Sequence, residues 1–292
     1  MIQVGVVGHV GYDRLREVLD DLLRLADELS LRLYFEDELY AVAGGGERMT
    51  DPEVADVLLT LGGDGTLLRG ARLLAGRPVP ILGLNMGRLG FLTAVGGDDL
   101  EFALRRLSDG EYQVEERMAL EVRALDMQGV ERRRLLGLND AVLHKGGFAR
   151  VLGLTVYVDD EQIARFSADG VVISTPTGST GYSLSAGGPV VVPTVESLIL
   201  TPISAHTLAL RPLVLPPTVE LRIQPNDGPE QLLVTVDGQG GTTFAPGETL
   251  AVRRADRPVP IIRFHGSSFF ARLSRKLGWG GLAQRGEDHR PC

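Results

Sequence analysis

A glycine-rich turn with a single carboxylate is the part of this sequence best suited to chemistry. The apolar residues 57–61 end at Gly62-Gly63-Asp64-Gly65-Thr66, and residues 67–74 follow with the spacing of a helix. Glycine lets the backbone approach a ligand closely because it has no Cβ. The N–H groups that begin a helix attract phosphate, and we expect Thr66 to be the N-cap of this helix. The turn predicts a polyphosphate site beside a proton acceptor, with a strand-to-helix turn and its capping aspartate as the alternative.

A second segment, rich in hydroxyl groups and glycine, lies farther along the chain. Seven Ser and Thr residues fall between Ser174 and Ser185, directly after the apolar residues 171–173. Hydroxyl oxygens and backbone amides together are suited to sugar hydroxyls, phosphates and a base. A turn needs fewer such residues, so a plain connector between strands is the less favoured interpretation.

The elements around these segments follow two different periods. In the first third, strands predicted over residues 4–7, 31–35, 57–61 and 80–84 alternate with helices predicted over residues 12–29 and 67–74. This alternation predicts an α/β domain over residues 1–109 with a parallel, Rossmann-like sheet, whose carboxyl edge carries the Asp64 turn. From residue 110 onward, apolar and polar residues alternate as in half-buried strands. We therefore expect a β-rich second domain over residues 110–265.

Composition argues against several classes of function. The chain has 292 residues and a formal net charge of −8, which disfavours nonspecific binding to nucleic acid or to anionic membranes. Its five histidines are dispersed and its one cysteine is Cys292, so the sequence offers no cluster typical of a zinc site. Neither a basic leader nor a long apolar segment begins the chain, and we expect a cytoplasmic protein.

Both segments resemble motifs of the NAD kinase family, and further motifs follow in that family's order. Gly-Gly-Asp-Gly-Thr alone is shared with lipid kinases, whereas Thr175-Pro176-Thr177-Gly178-Ser179-Thr180 is far more specific. The other similar segments are residues 83–92, 138–144, 201–203, 211–216, 237–239 and 269–279. The resemblance covers residues 4–279. It implies a C-terminal helix within residues 266–284 that returns to pack on the first domain, and residues 285–292 are expected to form a disordered tail.

The resemblance implies phosphoryl transfer from ATP or inorganic polyphosphate to the 2′-hydroxyl of the adenosine ribose of NAD, which yields NADP. Asp64 is the expected base that orients this hydroxyl and accepts its proton. Gly62, Gly63, Thr66 and Arg88 are expected on the side of the phosphate donor. A divalent cation, Mg²⁺, is expected to neutralise the phosphate chain, with no protein ligand assigned to it. Members of the family generally form homodimers or homotetramers.

The residues expected to contact NAD come from several segments of the chain. They are Asp64, Gly65, Arg69, Asn139, Asp140, Arg150, Asp169, Thr180, Gly181, Tyr182, Ser183, Leu184, Ser185 and Gln239. A side-chain amide suits an adenine edge and a carboxylate suits ribose hydroxyls, which Asn139 and Asp140 provide. An Asx turn at Asn139-Asp140 and a hairpin turn at Gln239 are the structural alternatives.

Two other functions stay open from the sequence. A lipid or sphingoid kinase would share the Asp64 turn, but it would also be expected to carry an amphipathic membrane-binding stretch, and none is evident. A regulatory module that binds NAD without turnover would be expected to lack the acid, whereas Asp64 is present. The sequence therefore favours an NAD kinase, with ATP and polyphosphate both open as donors.

Overall fold

The computed structural model describes residues 1–87, 90–146, 151–207, 209–226, 232–245, 247–266 and 268–278. Within these residues the chain forms one eight-stranded and two six-stranded β-sheets. The α-helices are α1 (Leu15–Leu29), α2 (Asp37–Ala43), α3 (Asp64–Leu74), α4 (Leu100–Ser108), α5 (Tyr182–Ser185) and α6 (Phe269–Leu277). The strands are β1 (Gln3–Gly8), β2 (Arg32–Phe35), β3 (Glu47–Arg48), β4 (Val57–Leu61), β5 (Ile81–Asn85), β6 (Val95–Gly96), β7 (Gln113–Arg117), β8 (Leu120–Leu125), β9 (Glu131–Gly137), β10 (Asp140–Lys145), β11 (Leu152–Val158), β12 (Glu161–Ala168), β13 (Gly170–Ser174), β14 (Leu198–Ile203), β15 (Leu213–Leu215), β16 (Leu221–Pro225), β17 (Leu232–Val236), β18 (Gly240–Phe244), β19 (Thr249–Arg254) and β20 (Val259–Arg263).

The first sheet is predominantly parallel. Its strand order is β3-β2-β1-β4-β5-β20-β7, and β6 pairs with the end of β5. Neighbouring strands are parallel except for β20 and β7, which pair antiparallel. The segments that follow β4 and β5 therefore leave the sheet at the same edge, the edge where ligands bind in open α/β sheets.

Helices cover both faces of this sheet, which is why all five residues of β4 are buried and only one of them, Thr60, is polar. Val57, Leu59 and Leu61 belong to the core formed with α1, α2 and α4, whereas Leu58 belongs to the core formed with α3. Leu138, from the second half of the chain, also packs in the α3 core. The position of α3 therefore brings the Asp64 turn against the second domain.

The two six-stranded sheets are antiparallel and enclose one apolar core. Their strand orders are β15-β14-β13-β10-β17-β18 and β12-β11-β16-β19-β8-β9. Alternate residues of β10 and β13, such as Ala141 and Ile173, pack inward against residues of β8 and β11, such as Val122 and Leu154. The other residues of β10, including Asp140, therefore lie on the outer face of their sheet.

The expected two-part fold is confirmed, and the last helix returns to the first domain as expected. The ring of Phe269 in α6 lies 6.2 Å from the ring of Phe91, measured between centroids. Strands β7 and β20 lie within the range expected for the second domain but pair in the first sheet, because β20 continues that sheet beside β5. The domain boundaries at residues 110 and 265 stay predictions, and the expected tail at residues 285–292 lies outside the described residues.

The N-cap prediction for Thr66 is wrong. Helix α3 begins at Asp64, with Gly63 in extended conformation at its N-cap, and the Gly63 carbonyl already accepts from the Thr66 N–H at 3.0 Å. The short helix α2 was not expected, because only Leu39 and Ala43 of its seven residues are buried and so give too little periodicity. Across the described part of the chain, none of the helices has the length and apolar character needed to cross a membrane.

Candidate active site

The carboxylate of Asp64 is held by three backbone N–H groups of the segment that follows β5. Phe91 donates to Oδ2 at 2.7 Å, and Leu92 and Thr93 donate to Oδ1 at 3.0 and 3.2 Å. A carboxylate has about four lone-pair positions, so these three bonds fix the orientation of Asp64 and leave one position on Oδ2 for a further donor. The backbone of residues 91–93 therefore positions the acid of the glycine-rich turn.

Close contacts explain two of the glycines around this acid. A Cβ on Gly90 would stand 1.9 Å from Oδ1 of Asp64, and a Cβ on Gly62 would stand 2.1 Å from Oγ1 of Thr66. By contrast, a Cβ on Gly63 would meet no described atom within 4 Å. The backbone at Gly63 is therefore open, beside the first-turn N–H groups of α3 that have no partner within their own helix. This opening suits the approach of a phosphate chain.

A second polar centre forms around Asn139 and Asp140, between β9 and β10. The half-buried carboxylate of Asp237 accepts the N–H groups of Leu138, Asn139 and Asp140 at 2.9, 2.7 and 3.1 Å. From the other side, the Thr175 hydroxyl donates to the Leu138 carbonyl at 2.6 Å. The segment is thus clamped between the hairpin that follows β17 and the start of the hydroxyl-rich loop.

This hydroxyl-rich loop packs directly on Asn139 and Asp140. A Cβ on Gly178 would stand 2.0 Å from the Asn139 carbonyl oxygen, and a Cβ on Gly181 would stand 3.8 Å from Asn139 Nδ2 and 3.9 Å from Asp140 Oδ2. The side-chain oxygen of Asn139 is buried and accepts no hydrogen bond from the described residues. Because a buried acceptor without a donor is costly, this oxygen indicates a ligand that donates to it.

Burial and the nearby negative charge of Asp237 raise the pKa of Asp140 from its ordinary 3.8 to about 7. Burial also raises the pKa of Asp237, against the three backbone N–H groups that favour its charged form. Both carboxyl groups are therefore harder to ionise than a free aspartate.

We expect Asp140→Asn to raise the thermal midpoint of unfolding at about pH 8. Between its ordinary pKa of 3.8 and the raised value of about 7, Asp140 keeps a proton in the folded chain that the unfolded chain releases. Stability therefore falls as pH rises through this window, and an uncharged amide removes the penalty, worth about 1–3 kcal/mol. Thermal melts from about pH 4 to pH 8 measure the difference.

Asp169→Asn is the matched control for this pH dependence, with the opposite sign. The hydrogen bond from Lys145 lowers the pKa of Asp169. Its charged form therefore stabilises the fold above the ordinary pKa, and the amide variant should be less stable at about pH 8. An Asp140→Asn variant that is equally destabilised at both ends of the pH range would show that Asp140 carries no penalty.

An open pocket lies farther along the outer face of the β10 sheet. Tyr182, Asp169, Lys145 and His144 line it, and 47% of Tyr182 is exposed. Lys145 Nζ donates to Asp169 Oδ1 at 2.6 Å. The structure thus brings Asp169 and Tyr182, both predicted from the sequence, to one pocket with Lys145 and His144, which were not predicted.

Other predicted residues have structural partners in this conformation. The Ser183 hydroxyl is fully buried and lies 3.0 Å from the Thr201 hydroxyl, so it supports the loop from beneath. Arg69 forms an ion pair with Glu36 at 2.6 Å and also donates to the Gly8 carbonyl. Its predicted contact with NAD would compete with this ion pair.

The remaining predicted residues divide into three groups. Gln239 donates to the Gly65 carbonyl at 2.6 Å and so joins the β17–β18 hairpin to the first turn of α3. Thr180, Leu184 and Ser185 lie in the two short helical turns of the hydroxyl-rich loop. Arg88 and Arg150 lie outside the described residues. All of these binding roles stay predictions.

Sequence reasoning missed the groups that position this site. Asp237 stood in a recognised segment, Asp237-Gly238-Gln239, but its side chain looked like an ordinary turn residue. The N–H groups of residues 91–93 carry no side-chain signal, because any residue offers a backbone donor. Among the described residues, no three Asp, Glu, His or Cys side chains form a cluster suited to a metal ion.

Family models match both halves of the chain. Those described as the ATP-NAD kinase N-terminal domain and the ATP-NAD kinase C-terminal domain match residues 21–112 and 138–264. A protein named NAD kinase from Gemmatimonas aurantiaca is 59% identical over 284 residues, which cover 97% of this chain and 98% of that protein. The NAD kinase of Moorella thermoacetica is 41% identical over 291 residues, which cover 99% of this chain and 93% of that protein.

Solved structures agree with these sequence matches. Yeast NADH kinase complexed with NADH has a TM-score of 0.85 at 23% identity and covers 100% of this chain and 90% of its own, which shows a shared fold. An NAD kinase from Archaeoglobus fulgidus in complex with ATP has a TM-score of 0.75 at 25% identity, covering 95% of this chain and 99% of its own. On the family models and the full-length identities, this chain belongs to the NAD kinase family.

Proposed function

We propose that this protein transfers a phosphoryl group to the 2′-hydroxyl of the adenosine ribose of NAD and thereby makes NADP. The observation that carries the proposal is the carboxylate of Asp64, which is held in a fixed orientation with a lone-pair position left on Oδ2. The membership in the NAD kinase family supports NAD as the acceptor, and the NAD kinase crystallised with ATP supports a nucleotide donor.

In this proposal the acceptor lies across Asn139, Asp140 and the hydroxyl-rich loop. The side-chain oxygen of Asn139, which lacks a donor among the described residues, accepts from the adenine amino group. Asp140 binds a ribose hydroxyl, and the pocket of Tyr182 and Asp169 takes the rest of the dinucleotide. The 2′-hydroxyl then donates to Oδ2 of Asp64.

The donor lies over Gly63, where the backbone is open beside the first turn of α3, whose N–H groups suit a phosphate. Phosphoryl transfer of this kind passes through a loose transition state, so alignment and charge neutralisation matter more than full deprotonation of the hydroxyl. Asp64 accepts the proton of that hydroxyl late in the transfer. A divalent cation such as Mg²⁺, to which no protein ligand is assigned, would neutralise the charge of the donor's phosphate chain.

The test is an assay of the purified chain with NAD and ATP, another nucleoside triphosphate or polyphosphate, each with and without Mg²⁺. We expect NADP to form with NAD, and no product to form with 2′-deoxy-NAD, which lacks only the accepting hydroxyl. The donor series decides between ATP and polyphosphate. Tight binding of NAD without product from any donor would indicate a regulatory module, and phosphorylation of diacylglycerol with unchanged NAD would indicate a lipid kinase.

We further propose a cytoplasmic enzyme that assembles as a homodimer or homotetramer through the β-rich domain. The negative net charge supports the absence of nucleic-acid and membrane partners. Sedimentation of the purified chain measures the oligomeric state, and a monomer at assay concentration would contradict it.

A further inference from the structure

A network of polar contacts joins the hydroxyl-rich loop to the segment that holds Asp64. Two arginines form it, and only 2% of Arg117 and 5% of Arg263 are exposed. Arg117 lies at the end of β7 and Arg263 at the end of β20, which pair antiparallel at one side of the first sheet. Buried guanidinium groups are expensive unless they are paired, so their partners identify what they hold in place.

The first part of this network of contacts starts at the hydroxyl-rich loop. Arg117 Nη1 donates to the hydroxyl of Thr177, which is itself buried, at 3.2 Å. Arg117 Nη2 donates to Oε2 of Glu115 at 2.7 Å. The same oxygen of Glu115 accepts from Nε of Arg263 at 3.0 Å. Glu115 is therefore the shared acceptor that joins the two arginines.

The second part of this network ends at the peptide groups that bind Asp64. Arg263 Nη1 donates to the Leu92 carbonyl at 2.5 Å, and Nη2 lies 3.4 Å from the Phe91 carbonyl. In the same two peptide groups, the N–H groups belong to Leu92 and Thr93, and both donate to Oδ1 of Asp64. Arg263 thus binds one end of each peptide group while Asp64 is bound at the other end, and a cation on the carbonyl strengthens the N–H as a donor.

This network of contacts depends on the negative charge of Glu115. Burial, together with the charges of Arg117 and Arg272, lowers the pKa of Arg263 to about 10, so the guanidinium stays charged at neutral pH. Removal of the negative charge of Glu115 would leave Arg117 and Arg263 facing each other with no acid between them. The two arginines would then separate, and the peptide groups bound to Arg263 would shift with it.

We propose that Glu115 and Arg263 are positioning residues for Asp64, and that the contact of Arg117 with Thr177 ties the orientation of this acid to the hydroxyl-rich loop. This inference rests on the proposed function, in which Asp64 is the base and the loop binds the acceptor. Neither residue touches a substrate. They act through the peptide groups of residues 91–93.

The first test is Glu115→Gln, which keeps the shape of the side chain and removes its charge. We expect turnover to fall about 10- to 100-fold, because a displacement of about 1 Å at the reacting atoms costs that much. The KM for NAD should change less than about threefold, since Asn139 and the outer pocket are untouched. A turnover within about twofold of the original would overturn the proposal.

Glu121→Gln is the matched control. Glu121 likewise has arginine partners, Arg253 at 2.7 Å and Arg134 at 3.1 Å, but it is more buried than Glu115 and lies in β8, away from Asp64. Its loss should lower the thermal midpoint without lowering turnover per folded molecule. If Glu121→Gln reduces turnover as much as Glu115→Gln, a general loss of stability explains both and the positioning role is wrong.

The decisive comparison repeats Glu115→Gln in the Asp64→Asn background. A residue that acts only through Asp64 has nothing left to position there, so the double variant should turn over at the rate of Asp64→Asn alone. A further 10- to 100-fold loss in that background would contradict the proposal. Should Glu115→Gln fail to fold, Arg263→Lys takes its place. Lysine keeps the positive charge but lacks the planar guanidinium that reaches the carbonyls of Leu92 and Phe91 together.

Hydrogen exchange gives a readout that does not depend on activity. The Leu92 and Thr93 amides should exchange faster in Glu115→Gln than in the original protein, and at the original rate in Glu121→Gln. If the original protein makes no NADP, the proposed function fails while this comparison still decides the positioning role. Unchanged protection of both amides in Glu115→Gln would overturn it.

Discussion

Replacement of Asp64 by Asn should lower the rate of NADP formation per folded molecule by about two to four orders of magnitude. The amide has nearly the same size but neither the charge nor the proton-accepting oxygen of the carboxylate. The affinity for NAD should change far less, because Asn139, Asp140 and the hydroxyl-rich loop are held by Asp237 and Thr175 rather than by Asp64. Single-turnover rates and NAD titrations on one preparation separate the two effects.

Stability of the same variant tests the structural alternative, in which Asp64 only shapes the turn. The three N–H groups of residues 91–93 require acceptors, and Asn offers one oxygen in place of two, so one N–H loses its partner. This loss should cost about 1–3 kcal/mol and lower the thermal midpoint by several degrees. A variant that melts earlier yet retains more than about a tenth of the rate would remove Asp64 from its role as base.

Gly90→Ala should reduce turnover about 100-fold or more, although it changes no group that binds substrate. The new Cβ would stand 1.9 Å from Oδ1, 2.2 Å from Cγ and 2.3 Å from Oδ2 of Asp64, so it would take the place of the carboxylate itself. Either Asp64 or the backbone of residues 90–93 must move, and both movements break the N–H bonds that orient the acid. The rate of NADP formation and the thermal midpoint measure the effect.

Gly87→Ala is the control for this substitution within the same loop. Of the atoms that the structure describes, a Cβ there would approach only Oδ1 of Asn85, at 3.9 Å, which is ordinary contact, and the N–H of Gly87 keeps its bond to that oxygen. Its turnover should stay within about threefold of the original. If Gly90→Ala is as active as Gly87→Ala, the observed position of the Asp64 carboxylate is not required for the reaction.

The regular elements were largely predictable because each follows from a local pattern. The four apolar residues of β4, Val57, Leu58, Leu59 and Leu61, and the helical spacing after them identified a buried strand and the helix that carries Asp64. The start of that helix was placed wrongly at Thr66, because the sequence does not reveal that Gly63 is extended. Strands β7 and β20 have no local signal of sheet membership, since a strand's partners are set by the whole arrangement of the chain.

The sequence by itself determined the family resemblance, the fold class and the candidate acid, because residue types, glycine spacing and periodicity are local properties. The tertiary structure decided what holds that acid. The donors to Asp64 are backbone N–H groups about 28 residues away, and their carbonyls are bound by Arg263, about 170 residues farther along. Backbone donors carry no residue code, and contacts between segments so far apart in the sequence arise only when β4, β5 and β20 assemble into the first sheet, so no pattern in the sequence could reveal them.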